Sequence, residues 1–375
     1  MRPHVPLALL TLLTLHACSR GPARSVEPPF DTRRSDVTAV LADFRKIVSP
    51  RGIQVLEAVQ VGGIPQWLSI RGADRGNPVL LYLHGGPGYP GIAPAWTQRA
   101  WEDYFTVVQW DQRGTGKTYA ANDSAKISPT ITLGRMLGDA EEVVNHLRTR
   151  LGKQKIFVVG HSWGTVLGTM LVQRHPEWFH AYVGTGQVVT FSENERVGYT
   201  FAVEQARADG NAEAIAALAK ISPYPEPDGH IVPEKLYVQR RWLQHYGGAV
   251  YGRHGYTHEF AMMELSPDYS PRELDSANFS GKDSLIRLLP ELERIDLRAM
   301  TRFAVPVFLF AGRHDYNTPS TLTAAWFETL EAPSKRLVWF ERSAHMMHSE
   351  EPGKMLVQLV ELLRPIAEQA GDVAP

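Results

Sequence analysis

Gly160-His161-Ser162-Trp163-Gly164 sets a serine between two glycines, directly after the apolar run KIFVV and directly before a helical stretch that Pro176 closes. Strand, tight turn and helix in that order are the setting of a nucleophile elbow. The turn is so sharp that the residues two before and two after the serine must be small. The serine is then forced into a strained, exposed position at the strand's C-terminal end, and the helix N-terminus behind it favours negative charge nearby. A hydroxyl is a weak nucleophile until a base takes its proton, so an acid and a histidine should follow in chain order. Asp315 fits the acid, since in VFLFAGRHDYNTP it comes just past an apolar run and a glycine. His345 fits the base, since in VWFERSAHMMHSEEP it too lies just past an apolar run. His348 is the second choice, a helical step further from the strand end. Most of the other histidines, His146 and His175 among them, read as surface or capping residues.

Acyl transfer also needs donors aimed at a developing oxyanion. His84-Gly85-Gly86-Pro87-Gly88 follows the run VLLYL, and its glycines let the backbone approach a substrate carbonyl. Gly86 and Trp163 are the candidate donors, each through its backbone N–H. Each such donor contributes on the order of a hundred- to a thousandfold in rate.

The elements that must hold these groups are legible as an alternation. Strand-like runs recur at 53–61, 65–72, 79–85, 105–111, 155–162, 181–186, 305–312 and 336–341. The middle ones are short, unbroken apolar runs, as strands buried on both faces of a parallel sheet require. Between them, TLGRMLGDAEEVVNHLRTRLG keeps apolar residues at i, i+3, i+4 spacing, with Thr132 to cap its start and Gly152 to close its end. Alternating strands and helices predict a doubly wound α/β sheet. The alternation breaks over 188–300, which is helical, aromatic and loop-rich. An insertion there would lie over the strand ends, where ligands bind in open α/β sheets.

HGGPG, WDQRGTGKT, GHSWGT, AGRHDYNTP and AHMMHSEEP, in this order and spacing, resemble the proline iminopeptidase (prolyl aminopeptidase) branch of the α/β-hydrolases. The resemblance covers about residues 50–185 and 300–368. It implies an α/β-hydrolase fold: a mostly parallel, eight-stranded core over 50–187 and 301–370, with a helical cap over 188–300. It also implies a serine peptidase releasing N-terminal residues, often proline, through an acyl-enzyme, with Ser162 as nucleophile, Asp315 as acid and His345 as base. Gly86 and Trp163 become the oxyanion donors. Two departures stand out: family members commonly carry a GGSWG-type elbow where this chain has His161, and their glutamate-rich cap segment is not recognisable here.

An aminopeptidase must select a cationic N-terminus, and buried carboxylates would do so. The cap offers Glu193, Glu195, Glu204, Glu259 and Glu264, with Glu204, Glu259 and Glu264 as the candidate substrate contacts. Each is weighed against being a solvated charge on a helix face. The same triad also suits an esterase, lactonase or amidase, and an apolar cap would favour that reading. A reading of another class, a non-catalytic surface-anchored binding protein, is disfavoured by a complete triad. No H-E-x-x-H and no cysteine–histidine cluster calls for a metal, and no other cofactor is expected.

Gly116-Lys117-Thr118 imitates the end of a phosphate-binding loop, but the glycine such a loop needs five residues earlier is Asp111. TYAANDSAKISP then reads as a loop rather than a helix, so no nucleotide is expected. Asp111 and Arg113 are expected to brace the loops around the site, and Lys117 to be a solvated charge. With a net charge of −1, nucleic acid is no expected partner either.

The N-terminus begins with MRPH and an apolar stretch too short to span a bilayer, the pattern of a secretory signal. Leu15-His16-Ala17-Cys18, holding the chain's only cysteine, resembles a bacterial lipobox in which Cys18 is acylated. Residues 1–18 are expected as a signal with lipobox and 19–49 as a tether, placing an exported enzyme on a membrane of the bacterial cell envelope through a lipid anchor. Its partners would be that membrane and a peptide, amide or ester substrate.

Overall fold

The computed structural model describes residues 33–374. Cys18 and the expected signal lie outside them. Eight strands form one sheet in the order β1-β2-β4-β3-β5-β6-β7-β8. β1 (Ile53–Val61) and β2 (Ile64–Gly72) form an antiparallel hairpin, turned by Gly62 and Gly63 at φ of 56° and 77°. A two-residue hairpin turn favours positive φ, which glycine adopts without strain. β2 runs antiparallel to β4 (Thr106–Asp111). β3 (Val79–Leu83), β5 (Ile156–His161), β6 (Phe179–Thr185), β7 (Val307–Gly312) and β8 (Lys335–Phe340) complete the parallel part. The unbroken apolar runs are the fully buried strands β3 to β7; β8, at the edge, exposes Lys335 and Arg336.

Helices cover both faces. Before the cap come α1 (Arg34–Phe44), α2 (Gly116–Ala120), α3 (Ser124–Ile127), α4 (Leu133–Leu151) and α5 (Trp163–Arg174). α4 begins where Thr132 accepts the N–H of Arg135 and ends at Gly152 in the left-handed conformation. Its buried stripe Met136, Leu137, Ala140, Val143, Val144 and Leu147 packs with α5 on one face of the sheet. The cap holds α6 (Phe191–Ala208), α7 (Ala212–Lys220), α8 (Pro233–His245), α9 (Thr257–Glu264) and α10 (Pro271–Leu292). Its own core gathers Ala202, Ala206, Leu218, Trp242 and Leu289. Beyond β7 lie α11 (Ser320–Thr329), α12 (Met347–Glu350) and α13 (Pro352–Gln369); α13 covers the other face with Met355, Leu359 and Leu363.

Three expectations are corrected. The segment 19–49 is not a tether throughout, because α1 is docked on the cap. Arg34 donates to the carbonyls of Glu264, Ser266 and Tyr269 at 2.7, 3.0 and 2.8 Å, and Arg45 pairs with Asp268 at 2.5 Å. The stretch after GTGK is not a loop but the short helices α2 and α3. Lys117 is buried rather than solvated. It pairs with Glu273 at 2.7 Å, donates to the Asp268 carbonyl at 2.8 Å and lies over the rings of Trp67 and Tyr269. Composition hides the docking of α1 and the burial of Lys117 because each polar residue finds its partner more than a hundred residues away.

Candidate active site

The elbow shows why its glycines are small. A Cβ on Gly160 would meet the Gly164 carbonyl oxygen at 2.6 Å, and one on Gly164 would meet that of Leu83 at 2.0 Å. Ser162, between them, is the one non-glycine residue at positive φ among the described residues, with φ 53° and ψ −121°. Such a conformation costs on the order of 1–3 kcal/mol and persists only where the surroundings enforce it. Here they do: Ser162 N–H donates to Thr185 at 3.0 Å, and its carbonyl accepts from the N–H and hydroxyl of Thr165 at 2.8 and 2.6 Å.

Asp315 and His345, 30 residues apart in sequence, meet at 2.8 Å between Oδ2 and Nδ1. The other oxygen of Asp315 accepts the N–H groups of Asn317 and Thr318 at 2.9 and 2.8 Å, which fixes the carboxyl group's orientation. Thr318 hydroxyl donates to Asp315 Oδ2 at 2.8 Å, so its oxygen, 3.1 Å from His345 Nδ1, can only accept there. Nδ1 of His345 therefore carries the proton, and Nε2 is left with the lone pair of a base. A Cβ on Gly186 would meet that ring at 2.8 Å, so the glycine gives it room. Glu350 accepts the N–H groups of Ala344 and Met346 at 3.0 and 2.9 Å and holds the histidine's loop. Among the described residues, His348 has no contact of this kind with an acid, and its Nδ1 has no partner.

His161, the unusual elbow residue, packs its ring against His345 at 4.7 Å and against His348 at 4.9 Å. Thr185 hydroxyl donates to the Gly160 carbonyl, so it must accept from His161 Nδ1 at 3.1 Å. Burial, then the neighbouring His345, pushes the His161 pKa well below the ordinary value. The ring beside the base is thus neutral.

Gly86 stands at φ 110°, and a Cβ there would lie 2.5 Å from Gly88 N. A Cβ on the preceding Gly85 would lie 3.0 Å from that of Ser162, so the glycine loop runs against the elbow. Trp163 opens α5, and its N–H is one that helical bonding cannot reach. Sequence reasoning missed the group that links the two: Gln112 of the DQRG stretch. Its carboxamide oxygen accepts from the Trp163 indole at 3.0 Å and its amide donates to the His84 carbonyl at 3.3 Å. Asp111 beside it accepts from the N–H groups of Ile92 and Lys117 at 3.1 and 2.9 Å and from the Tyr269 hydroxyl, joining glycine loop, α2 and cap. Arg113 pairs with the buried Asp139 at 2.7 Å. Asp111 thus braces the loops around the site, whereas Arg113 ties α4 and Thr130 to the β1–β2 turn at Gly62, away from the cavity wall.

Ser162, Trp163, Gly86 and His345 line one cavity of about 450 Å³ beneath the cap. Most of its wall is apolar, from Val166, Phe191, Leu236, Met263 and Leu285. The expected cap carboxylates do not line it. Glu204 and Glu264 are exposed on outer helix faces. Glu259 is buried, but it accepts from Arg253 at 3.0 Å and Ser349 at 3.2 Å outside the cavity wall. Glu195 takes the place instead: fully buried and lining the cavity, it accepts from Arg240 and from the Tyr224 hydroxyl at 2.6 Å. Its neighbour Asn194 also lines the cavity, with a carboxamide oxygen that has no partner among the described residues. Helical spacing alone did not separate Glu195 from Glu193, which pairs with Arg196 at the surface.

The profile of the α/β hydrolase fold matches residues 78–221. A probable aminopeptidase of Bacillus subtilis, YbaC, is 30% identical over 311 residues, covering 82% of this chain and 95% of that protein. The chain belongs to the α/β-hydrolases, in the family of that aminopeptidase. A proline iminopeptidase of Heyndrickxia coagulans is 24% identical to this α/β-hydrolase, over 78% of this chain and 92% of its own. The crystal structure of a proline iminopeptidase from Mycobacterium smegmatis shares the fold, with a TM-score of 0.55 at 18% identity, covering 84% of this chain and all of that one.

Proposed function

We propose that this serine hydrolase is an aminopeptidase that works through an acyl-enzyme. Ser162 attacks the carbonyl of the N-terminal residue while His345 Nε2 takes its proton and then hands it to the leaving amine. Asp315 holds the imidazole tautomer and stabilises the imidazolium. Gly86 and Trp163 N–H groups receive the oxyanion, and water repeats the cycle in reverse roles. The observation that carries the reading is Glu195, a buried carboxylate in the same cavity as Ser162, beside the Asn194 oxygen that has no partner among the described residues. Together they offer acceptors to a substrate ammonium. The names of the relatives support the same chemistry.

Esterase or amidase action is the second reading, favoured by the apolar wall and by Arg240, which already neutralises Glu195. A panel of proline, alanine and leucine anilides, an N-acetylated anilide and an aryl ester decides between them. Preference for free-amine anilides is expected; preference for the blocked substrate or the ester overturns the aminopeptidase reading.

We further propose export and lipid anchoring at Cys18, on the strength of the LHAC sequence and the lone cysteine. Labelled palmitate should enter the wild-type protein and not Cys18→Ser, and an unlabelled wild type removes this proposal.

A further inference from the structure

A second cleft, polar and about 520 Å³, lies against the first cavity. The two share Tyr237, Arg240 and Gln244, presented by α8 at i, i+3 and i+7. Arg240 is thus a common wall: one N–H holds Glu195 on the cavity side, and another donates to the Gln239 carboxamide at 2.7 Å. Both volumes fall in the roughly 300–1,000 Å³ that suits a ligand of drug size, which is the size of a short peptide.

The cleft is lined by donors. A guanidinium has five N–H groups, and Arg240 and Arg241 have more of them than these bonds use. The Asn211 carboxamide oxygen caps α7 by accepting from Ala214 at 3.0 Å, and its side chain also hydrogen-bonds Tyr246, so Asn211 shapes the cleft rather than supplying a free donor. Trp242 is buried in the lining, and its indole N–H has no partner among the described residues. The one carboxylate of the lining, Glu213, is exposed and paired with the exposed Arg241 at 2.7 Å. Exposed pairs of this kind hold weakly and exchange readily. Surplus donors around one engaged carboxylate select a ligand rich in acceptors, and a carboxylate meets a guanidinium fork with two parallel bonds.

We propose that this cleft is a carboxylate subsite, taking the C-terminal end of a short peptide whose N-terminal residue lies in the cavity of Ser162. The proposal rests on the aminopeptidase reading and narrows its substrate class to peptides of a few residues with a free C-terminus. Such a substrate is held at both ends. Its carboxylate engages Arg241 and the cleft side of Arg240, while its ammonium shares Glu195.

The test compares dipeptides and tripeptides as free acids and as C-terminal amides, in the wild type, Arg241→Gln and Arg241→Glu. Arg241 is exposed, so both variants should fold. In the wild type the acid should show a KM about three- to tenfold below that of the amide. The ratio should approach one in Arg241→Gln and invert in Arg241→Glu. Equal KM values in the wild type, or a ratio that survives both substitutions, overturns the subsite alone. A wild type that cleaves neither form removes the aminopeptidase reading and the subsite with it.

Discussion

The Gln112 carboxamide oxygen lies 3.0 Å from the indole nitrogen of Trp163, while its amide reaches the His84 carbonyl at 3.3 Å. His84 answers through its ring: Nδ1–H donates to Gly85 and Nε2 accepts the Gln112 N–H at 3.2 Å. Burial holds that ring neutral, with a pKa lowered to about 4. The two candidate oxyanion donors therefore sit on segments fixed to each other through one glutamine. Gln112→Leu should lower kcat about tenfold with little change in KM, less than the roughly hundredfold or more expected for losing a donor outright. Gln112→Glu keeps the acceptor for Trp163 and loses the donor to His84, so it should fall between. Steady-state kinetics on an aminoacyl anilide measure this, and a change confined to KM would contradict it.

Ser162→Ala should abolish turnover while the protein stays folded. Ser162→Gly should be equally inactive yet more stable, because glycine adopts φ 53° without the strain of a side chain. The gain should be about 1 kcal/mol in denaturant unfolding, the lower end of what such strain costs. Full activity in either variant would sink the role given to Ser162, and a glycine variant less stable than wild type would sink the strain.

The core strands and the elbow were legible because their signals are local. An unbroken apolar run between turn residues marks each of β3 to β7, and the G-x-S-x-G spacing marks the elbow, although part of what enforces it, the Leu83 carbonyl against Gly164 and Thr185 on Ser162, lies far along the chain. Asp315 and His345 were legible because strand ends repeat the same local pattern. What escaped is non-local. Lys117 reads as a solvated charge until Glu273 and Asp268, more than 150 residues away, are brought to it. The cap carboxylates show the same limit, since Glu193 and Glu195 differ only in which side of α6 meets Arg240. Nothing in the local sequence of either names its partner.

Asp139 is fully buried, accepts from Arg113 and from Gln66 at 2.9 Å, and forms an ion pair with Arg135 at 2.8 Å. Asp139→Ala leaves the buried Arg113 without its charge partner, and should cost about 3–5 kcal/mol of stability. Glu341→Ala, which breaks the exposed, solvent-screened pair with Arg313, should leave stability nearly unchanged. Denaturant unfolding of the two variants separates these cases. Equal losses would show that burial does not set the difference.

Asp111 provides a pH signature with a definite sign. Burial pushes its pKa up to about 6, against the opposing hydrogen bonds from Tyr269, Lys117 and Ile92. The folded chain then takes up this proton at a higher pH than the unfolded one, so the contribution of Asp111 to stability is fully present below the usual carboxylate range. It is lost as pH rises through about 6. His84 and His348 pull the other way. Their folded pKa values are lowered to about 4 by burial, so the stability they contribute is present at neutral pH and lost as pH falls from about 6.5 to about 4. Subtracting Asp111→Asn from the wild type isolates the carboxyl. Between pH 7 and pH 4 the wild type should gain stability relative to the variant, the gain accumulating as pH falls from about 6 toward about 4. A flat difference across that range would mean that Asp111 titrates normally and that its contacts with Ile92, Lys117 and Tyr269 offset the cost of its burial.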